Sequence, residues 1–248
     1  MSEESTPGVR ARPITIAVDA MGGDHAPAAI VEGAAAAADA FGIDVILTGR
    51  SAQLRPLLAA QASSRAANGV RRPAQQGNVK ISTAEDSLAM DEGALASLRR
   101  PRSSAAIACQ LVRRGQAQAV VSAGSTGGVV ATARLRLRSM PGVMRPGLAV
   151  VLPTRPGPTL LVDAGAIADP KPEMLVAFAQ LGVAYAQVAY GIAEPRVGCS
   201  RLAPSRERAT GWLGAPMNCW TARPHTAGCR CASWATWRVA TCSPARPM

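Results

Sequence analysis

The feature that most limits the fold of this chain is a short unit that recurs along it: an apolar run, a Gly- or acid-rich turn, then a helix-favouring stretch. ITIAVDA (residues 14–20) leads into MGGDHAP (21–27) and then into the Ala-rich AAIVEGAAAAADAFG (28–42). A run of about seven apolar residues fits a strand buried on both faces, whereas a 15-residue Ala-rich stretch favours helix. IDVILTG (43–49) and SAQLRPLLAAQA (51–62) repeat the unit. So do NVKIST (78–83) with the amphipathic SSAAIACQLVRRG (103–115), and QAVVSAGSTGG (118–128) with VVATARLRLR (129–138). GLAVVLPT (147–154) and PTLLVDAG (158–165) are two more short strands joined by RPGP, and Pro172 to Gly191 reads as a long helix with Pro in its first turn. Consecutive parallel strands need helical crossovers, so the pattern predicts an α/β fold with three layers, αβα, around a mostly parallel sheet.

Composition agrees where it bears on the core. Aromatic residues make up 3% of the chain against 48% apolar residues, so the core is built from small and aliphatic side chains. The net charge of +11 would suit a nucleic-acid or acidic-membrane surface, but it is unevenly placed. Residues 199–248 hold seven Arg against one acid, Glu207, and so carry six of the eleven net charges. Only two basic residues are Lys, Lys80 and Lys171, a bias of coding composition more than of a phosphate-binding surface. Single-strand binding also calls for stacking aromatics, which are sparse before residue 199, so no nucleic-acid partner is expected. No apolar run reaches the roughly 20 residues that cross a bilayer, and the N-terminus lacks an apolar signal region, which gives a cytoplasmic reading.

In open α/β sheets ligands bind beyond the carboxyl ends of the strands, and three strand exits here carry polar or Gly-rich chemistry. In the first, Gly22 and Gly23 permit close backbone approach, Asp19 and Asp24 can fix polar groups, and His25 can move a proton. Taken alone this exit reads equally as a turn with Asp24 capping the next helix and His25 on the surface. In the second, SAGSTGG, the residues Ser122, Gly124, Ser125, Thr126 and Gly127 offer amide and hydroxyl donors suited to phosphate. The segment matches neither the GK[ST] loop nor GxGxxG, so no nucleotide is implied. In the third, DAGAIADPKPEML (163–175), Asp163 and Asp169 bracket a turn containing Gly165, and Lys171 precedes the Pro-started helix. No metal-ligand spacing is present, since Cys229 and Cys231 form CxC and not the CxxC of common zinc sites.

Together, DAMGGDHAP, AEDSLAMDEGALASLRR, SAGSTGG, RPGLAVVLPT, DAGAIADPKPEML and GIAEPRVG resemble, in order and spacing over residues 13–198, the bacterial phosphate acyltransferases. The resemblance implies a fold similar to that of isocitrate and isopropylmalate dehydrogenases. It also implies transfer of a fatty acyl group from acyl carrier protein to inorganic phosphate for phospholipid synthesis, without cofactor or metal. A homodimer is implied too, with peripheral association at the inner membrane face beside a glycerol-3-phosphate acyltransferase. On that reading Lys171, His25, Asp19 and Asp24 are the catalytic candidates. Gly22, Gly23, Ser122, Gly124, Ser125, Thr126, Gly127, Asp163, Gly165 and Asp169 bind substrate. The pattern departs at Ser125 and Ile167, where the family commonly has Asn. Phosphate acetyltransferase chemistry on acyl-CoA and an inactive product are the competing readings.

The chain divides into a polar extension (1–12), the α/β domain (13–198, expected to be incomplete at its C-terminus) and a tail (199–248) whose regular patterning stops. All four Trp and five of the six Cys lie in that tail. Read from the third base of each codon, the codons of Ala215 to Thr221 force Glu-Leu-Leu-Asp, and those of Cys231 to Ser243 permit FVGNVEGRDLL, both family-like. A shifted reading frame after Gly198 accounts for both, and such a tail is expected to be poorly ordered.

Overall fold

The apolar run after Pro13 forms strand β1 (Thr15–Asp19), and the Ala-rich stretch forms helix α1 (Ala28–Phe41). The alternation continues through β2 (Asp44–Gly49), α2 (Ser51–Ala67), β3 (Val79–Thr83), α3 (Ala96–Arg99), α4 (Ser104–Arg113), β4 (Ala119–Ser122) and α5 (Thr126–Leu137). The computed structural model describes residues 13–67, 77–92, 95–154, 157–167, 170–201, 220–221 and 237–242. The 1–12 extension, Asp169 and most of 199–248 lie outside the described residues. The chain forms two units, Met1–Arg138 and Ser139–Met248.

In the first unit the four strands make a parallel sheet in the order β3-β2-β1-β4. The chain steps outward from β1 to β3 and then returns to the other side of β1 to place β4. Right-handed crossovers in opposite directions put their helices on opposite faces. Alternate residues of β1 record this. Val18 belongs to the cluster built with Val31, Ala34 and Ala38 of α1 and with Val45, Leu47 and Leu54. Its neighbour Ala17 packs with Ala108 of α4 and with Ala117. Thr48 lies on the α4 side, fully buried, and its hydroxyl reaches the carbonyls of Val18 (3.1 Å) and Ser104 (3.0 Å). This is the three-layer αβα arrangement read from the sequence. Helix α4 starts as its composition predicts, with the Ser103 hydroxyl accepting the Ala106 N–H at 3.4 Å.

The second unit contains β5 (Ala149–Thr154), β6 (Gly157–Val162), α6 (Pro172–Tyr190), β7 (Arg196–Arg201), β8 (Trp220–Thr221) and β9 (Trp237–Cys242). Its sheet, in the order β5-β6-β9-β7-β8, is antiparallel at every pairing. Strand β5 is an edge, and each of its six residues is exposed. The core beneath α6 is Leu160, Val162, Met174, Leu175 and Phe178. Helix α6 has Pro172 in its first turn and ends at Gly191, whose φ of 64° is the left-handed conformation that closes a helix without steric cost. The sequence placed no strands at β7, β8 or β9. The last of these lies in the stretch read as irregular, and its Trp, Val and Thr content suits a strand once β6 and β7 are there to pair with it.

Candidate functional site

The strand order β3-β2-β1-β4 reverses direction between β1 and β4, and a crevice for ligands opens at such a switch point, beyond the carboxyl ends of the two strands. Asp19 and Ser122 are the last residues of those strands and lie opposite each other in the register. The Ser122 hydroxyl donates to Asp19 Oδ2 at 2.7 Å and accepts the Gly124 N–H at 3.1 Å, while Asp19 Oδ1 accepts the Met21 N–H at 3.2 Å. Asp19 is buried, so its carboxylate is held in place by donors from both exit loops. One short network therefore fixes the two Gly-rich turns against each other.

Gly22 sits inside this network. A Cβ there would lie 2.7 Å from Asp19 Oδ2, 2.9 Å from the Gly124 nitrogen and 3.0 Å from Ser122 Oγ. The two loops approach as closely as they do because residue 22 has no side chain. Gly23 (φ 110°) begins the turn that closes with the Ala26 N–H on its carbonyl at 3.2 Å. Asp24 and His25 stand exposed on this loop. Asp24 is not the cap of α1: the N-cap position is Pro27, and no side chain caps the helix.

The second exit runs directly into α5. Ser125 is its N-cap residue but makes no capping bond, its hydroxyl turning instead to the Glu92 carbonyl at 3.4 Å. Thr126 and Gly127 are exposed and no acid stands in the first turn, so the positive end of the helix dipole and its first amides face outward. That is the chemistry of an anion cradle. Around it lies a motif segment to which the sequence assigned no role. The segment from Glu85 to Glu92 crosses from β3 to the start of α5, anchored by the Ser104 N–H on the Asp86 carbonyl (2.9 Å) and clasped by Arg100. Arg100 pairs with Glu92 at 2.6 Å and donates to the Ser87 carbonyl at 2.5 Å. The sequence signal for this was an acidic run followed by Arg99, Arg100 and Arg102; the pairings of Arg100 and Arg102 become visible only once the chain folds back.

In the second unit the third exit follows β6. Asp163 is buried, and its carboxylate accepts the N–H groups of Leu148 (2.8 Å), Ala166 (3.1 Å) and Ile167 (2.8 Å). It thereby organises its own turn, in which Gly165 is exposed at φ 120°. Ile167, the departure from the family pattern, turns its side chain into the Leu160–Phe178 core. Lys171 is exposed at the N-cap of α6 and forms no ion pair with a described carboxylate, Glu173 included.

A separate cavity of about 350 Å³ opens at the carboxyl end of β3, lined by Thr83, Glu85, Arg102, Gln110 and Arg136 among others, none of them a candidate site residue of the sequence. Cys109 is buried. Desolvation first, then the charge of Asp19, pushes its thiol up to about 11 against a smaller opposing effect of Arg136. It is protonated at neutral pH and is no nucleophile.

The family model described as "Fatty acid synthesis protein" matches residues 14–202. The chain belongs to this family. Among its curated relatives, the phosphate acyltransferase of Thermobifida fusca is 60% identical over 188 residues, 76% of this chain and 49% of that protein. Those of Heliobacterium modesticaldum (43% identical; 73% of this chain, 52% of that protein) and Thermus thermophilus (44% identical; 74% and 51%) carry the same name. The chain spans about half the length of these curated relatives. The family match covers the strand exits of both units and stops at residue 202, close to where regular patterning stops in the sequence.

Proposed function

We propose that residues 13–198 carry the phosphate-binding part of an acyltransferase that moves a fatty acyl group from acyl carrier protein to inorganic phosphate, giving acyl phosphate for phospholipid synthesis. The observation that supports this best is the interlock of the β1 and β4 exits around Gly22, which holds a Gly-rich turn and the free start of α5 at the switch point. Phosphate is itself the nucleophile. Its oxygen bonds to the thioester carbonyl carbon, the C–S bond breaks, and the thiol leaves with a proton, so the protein must orient phosphate and stabilise the oxyanion. The amides and hydroxyls of Ser122, Gly124, Ser125, Thr126 and Gly127 hold phosphate. Lys171 neutralises developing charge, and the exposed His25, beside Asp24, shuttles the proton. Asp19 positions the loops. Asp163 and Gly165 shape the β6 exit, with Asp169 assigned to substrate.

The exposed apolar edge strand β5, with Val150, Val151 and Leu152, supports a homodimer. Among the described residues no helix is long and apolar enough to cross a membrane. The proposed setting is cytoplasmic, with peripheral docking beside a membrane glycerol-3-phosphate acyltransferase. The test is acyl phosphate formation from acyl carrier protein thioester and phosphate, with acyl-CoA as competitor. Preference for acyl-CoA would move the reading to a phosphate acetyltransferase-like enzyme.

We further propose that residues 199–248 arise from a shifted reading frame, which would leave this product inactive or weakly active. The stop of the family match at residue 202 supports this. Sequencing the coding DNA across the Gly198 codon tests it, and an uninterrupted family frame there would refute it.

A further inference from the structure

The Glu85–Glu92 segment poses an electrostatic problem. Four carboxylates, Glu85, Asp86, Asp91 and Glu92, fall within eight residues that end against the proposed anion cradle. The Glu92 carbonyl accepts from the N-cap Ser125, and Leu88 Cδ1 lies 3.6 Å from where a Cβ of Gly128 would stand. Unneutralised, such a cluster would repel phosphate. Three of the four acids instead face arginine. Glu92 pairs with Arg100 at 2.6 Å, Asp86 with Arg100 at 3.7 Å, and both oxygens of Glu85 with Arg102 at 3.0 Å. The Arg102 pair is largely exposed and so weakly held, whereas the side chains of Arg100 and Glu92 are about two-thirds to three-quarters covered. Arg100 also donates to the Ser87 carbonyl, and the second Glu92 oxygen accepts the Ala89 N–H at 2.8 Å, so the carboxylate is tied back into its own segment.

We infer that Arg100 is a positioning residue for anion binding: it holds the Glu92 carboxylate neutralised and turned into the segment, so that the start of α5 presents net positive potential to phosphate. This rests on the phosphate-binding reading above. Arg100 does not touch the anion; it acts through Glu92.

The experiment measures binding of inorganic phosphate to this chain by calorimetry, and the phosphate KM and kcat wherever turnover is detectable. Arg100→Gln weakens phosphate binding by roughly tenfold, the scale of one uncompensated charge near a surface-bound anion. The effect appears in the phosphate KM and not in kcat. Arg100→Gln/Glu92→Gln restores binding to within about twofold of wild type, because the exposed charge is gone with its partner. Glu92→Gln alone, which keeps a hydrogen-bonding side chain and leaves Arg100 uncompensated, tightens binding and covers the case in which Arg100→Gln fails to fold. Unchanged affinity in Arg100→Gln overturns the inference, as does a double variant as weak as the single one, or weaker binding in Glu92→Gln. Absence of phosphate binding by the wild-type chain overturns the phosphate-binding reading itself, and this inference with it.

Discussion

Gly22→Ala is the sharpest structural test of the switch-point site. The added methyl would stand 2.7 Å from Asp19 Oδ2 and 2.9 Å from the Gly124 nitrogen, distances that real Cβ atoms essentially never show, and a tight 3.0 Å from Ser122 Oγ. None of the three is the free end of a flexible side chain. Asp19 is buried and bonded on both oxygens, and Gly124 is backbone. Either the β4 exit moves away or the Asp19–Ser122 bond opens. Overpacking of this kind costs about 1–3 kcal/mol, and losing a hydrogen bond to a buried carboxylate costs about 1.5–3 kcal/mol, so a loss of roughly 2–4 kcal/mol is expected if only part of each is realised. Chemical denaturation followed by far-UV circular dichroism measures it. Tryptophan fluorescence would not, because all four Trp lie beyond residue 198. Gly127→Ala is the matched control: among the described residues nothing beyond its chain neighbours and its own helix backbone lies within 4 Å of its Cβ position, and the residue is helical, so Ala should stabilise by about 0.5–1 kcal/mol. A Gly22→Ala protein within about 0.5 kcal/mol of wild type would refute the interlock.

Ser122→Ala removes the donor to buried Asp19 and should cost about 1–3 kcal/mol in the same assay, together with weaker phosphate binding; unchanged stability would show that the contact contributes little. Phe178→Ala empties the centre of the second unit's core and should cost about 3–5 kcal/mol by thermal or denaturant unfolding. The raised pKa of Cys109 means that its contribution to stability is fully present below pH about 9 and is lost as pH climbs towards about 11; pH-dependent unfolding of wild type should show that loss, and Cys109→Ala should not. Lys171→Ala should leave the unfolding midpoint within experimental error, since the side chain is exposed and unpaired among the described residues, while lowering turnover by at least about tenfold.

Much of the first unit was legible because parallel strands covered on both faces must be apolar along their whole length, which makes ITIAVDA and IDVILTG easy to read. The glycines and small polar residues at their exits stand out against those apolar runs, and the fold brings the β1 and β4 exits together through the Asp19–Ser122 bond. Local chemistry also gave α4 its Ser103 cap and α6 its Pro172 and Gly191 ends. What the sequence did not disclose depended on partners far along the chain. Glu92 and Arg100 carry no local signal for meeting beside Ser125. Asp163 looked like a substrate ligand, yet in the fold its oxygens accept three backbone N–H groups. Ile167 looked like a lost hydrogen-bonding group, whereas its side chain packs into the core. Strand β9 exists only as a pairing between β6 and β7, a tertiary event that residue periodicity cannot announce.

The central claim is that these strand exits serve acyl transfer to phosphate. The most direct measurement gives radiolabelled inorganic phosphate and an acyl carrier protein thioester to this chain and to a version read in the family frame beyond Gly198. Label entering a hydroxylamine-sensitive acyl phosphate with the frame-restored protein, and lost on Lys171→Ala, is the predicted result. No label incorporated by either protein, with the thioester left intact, would contradict the account.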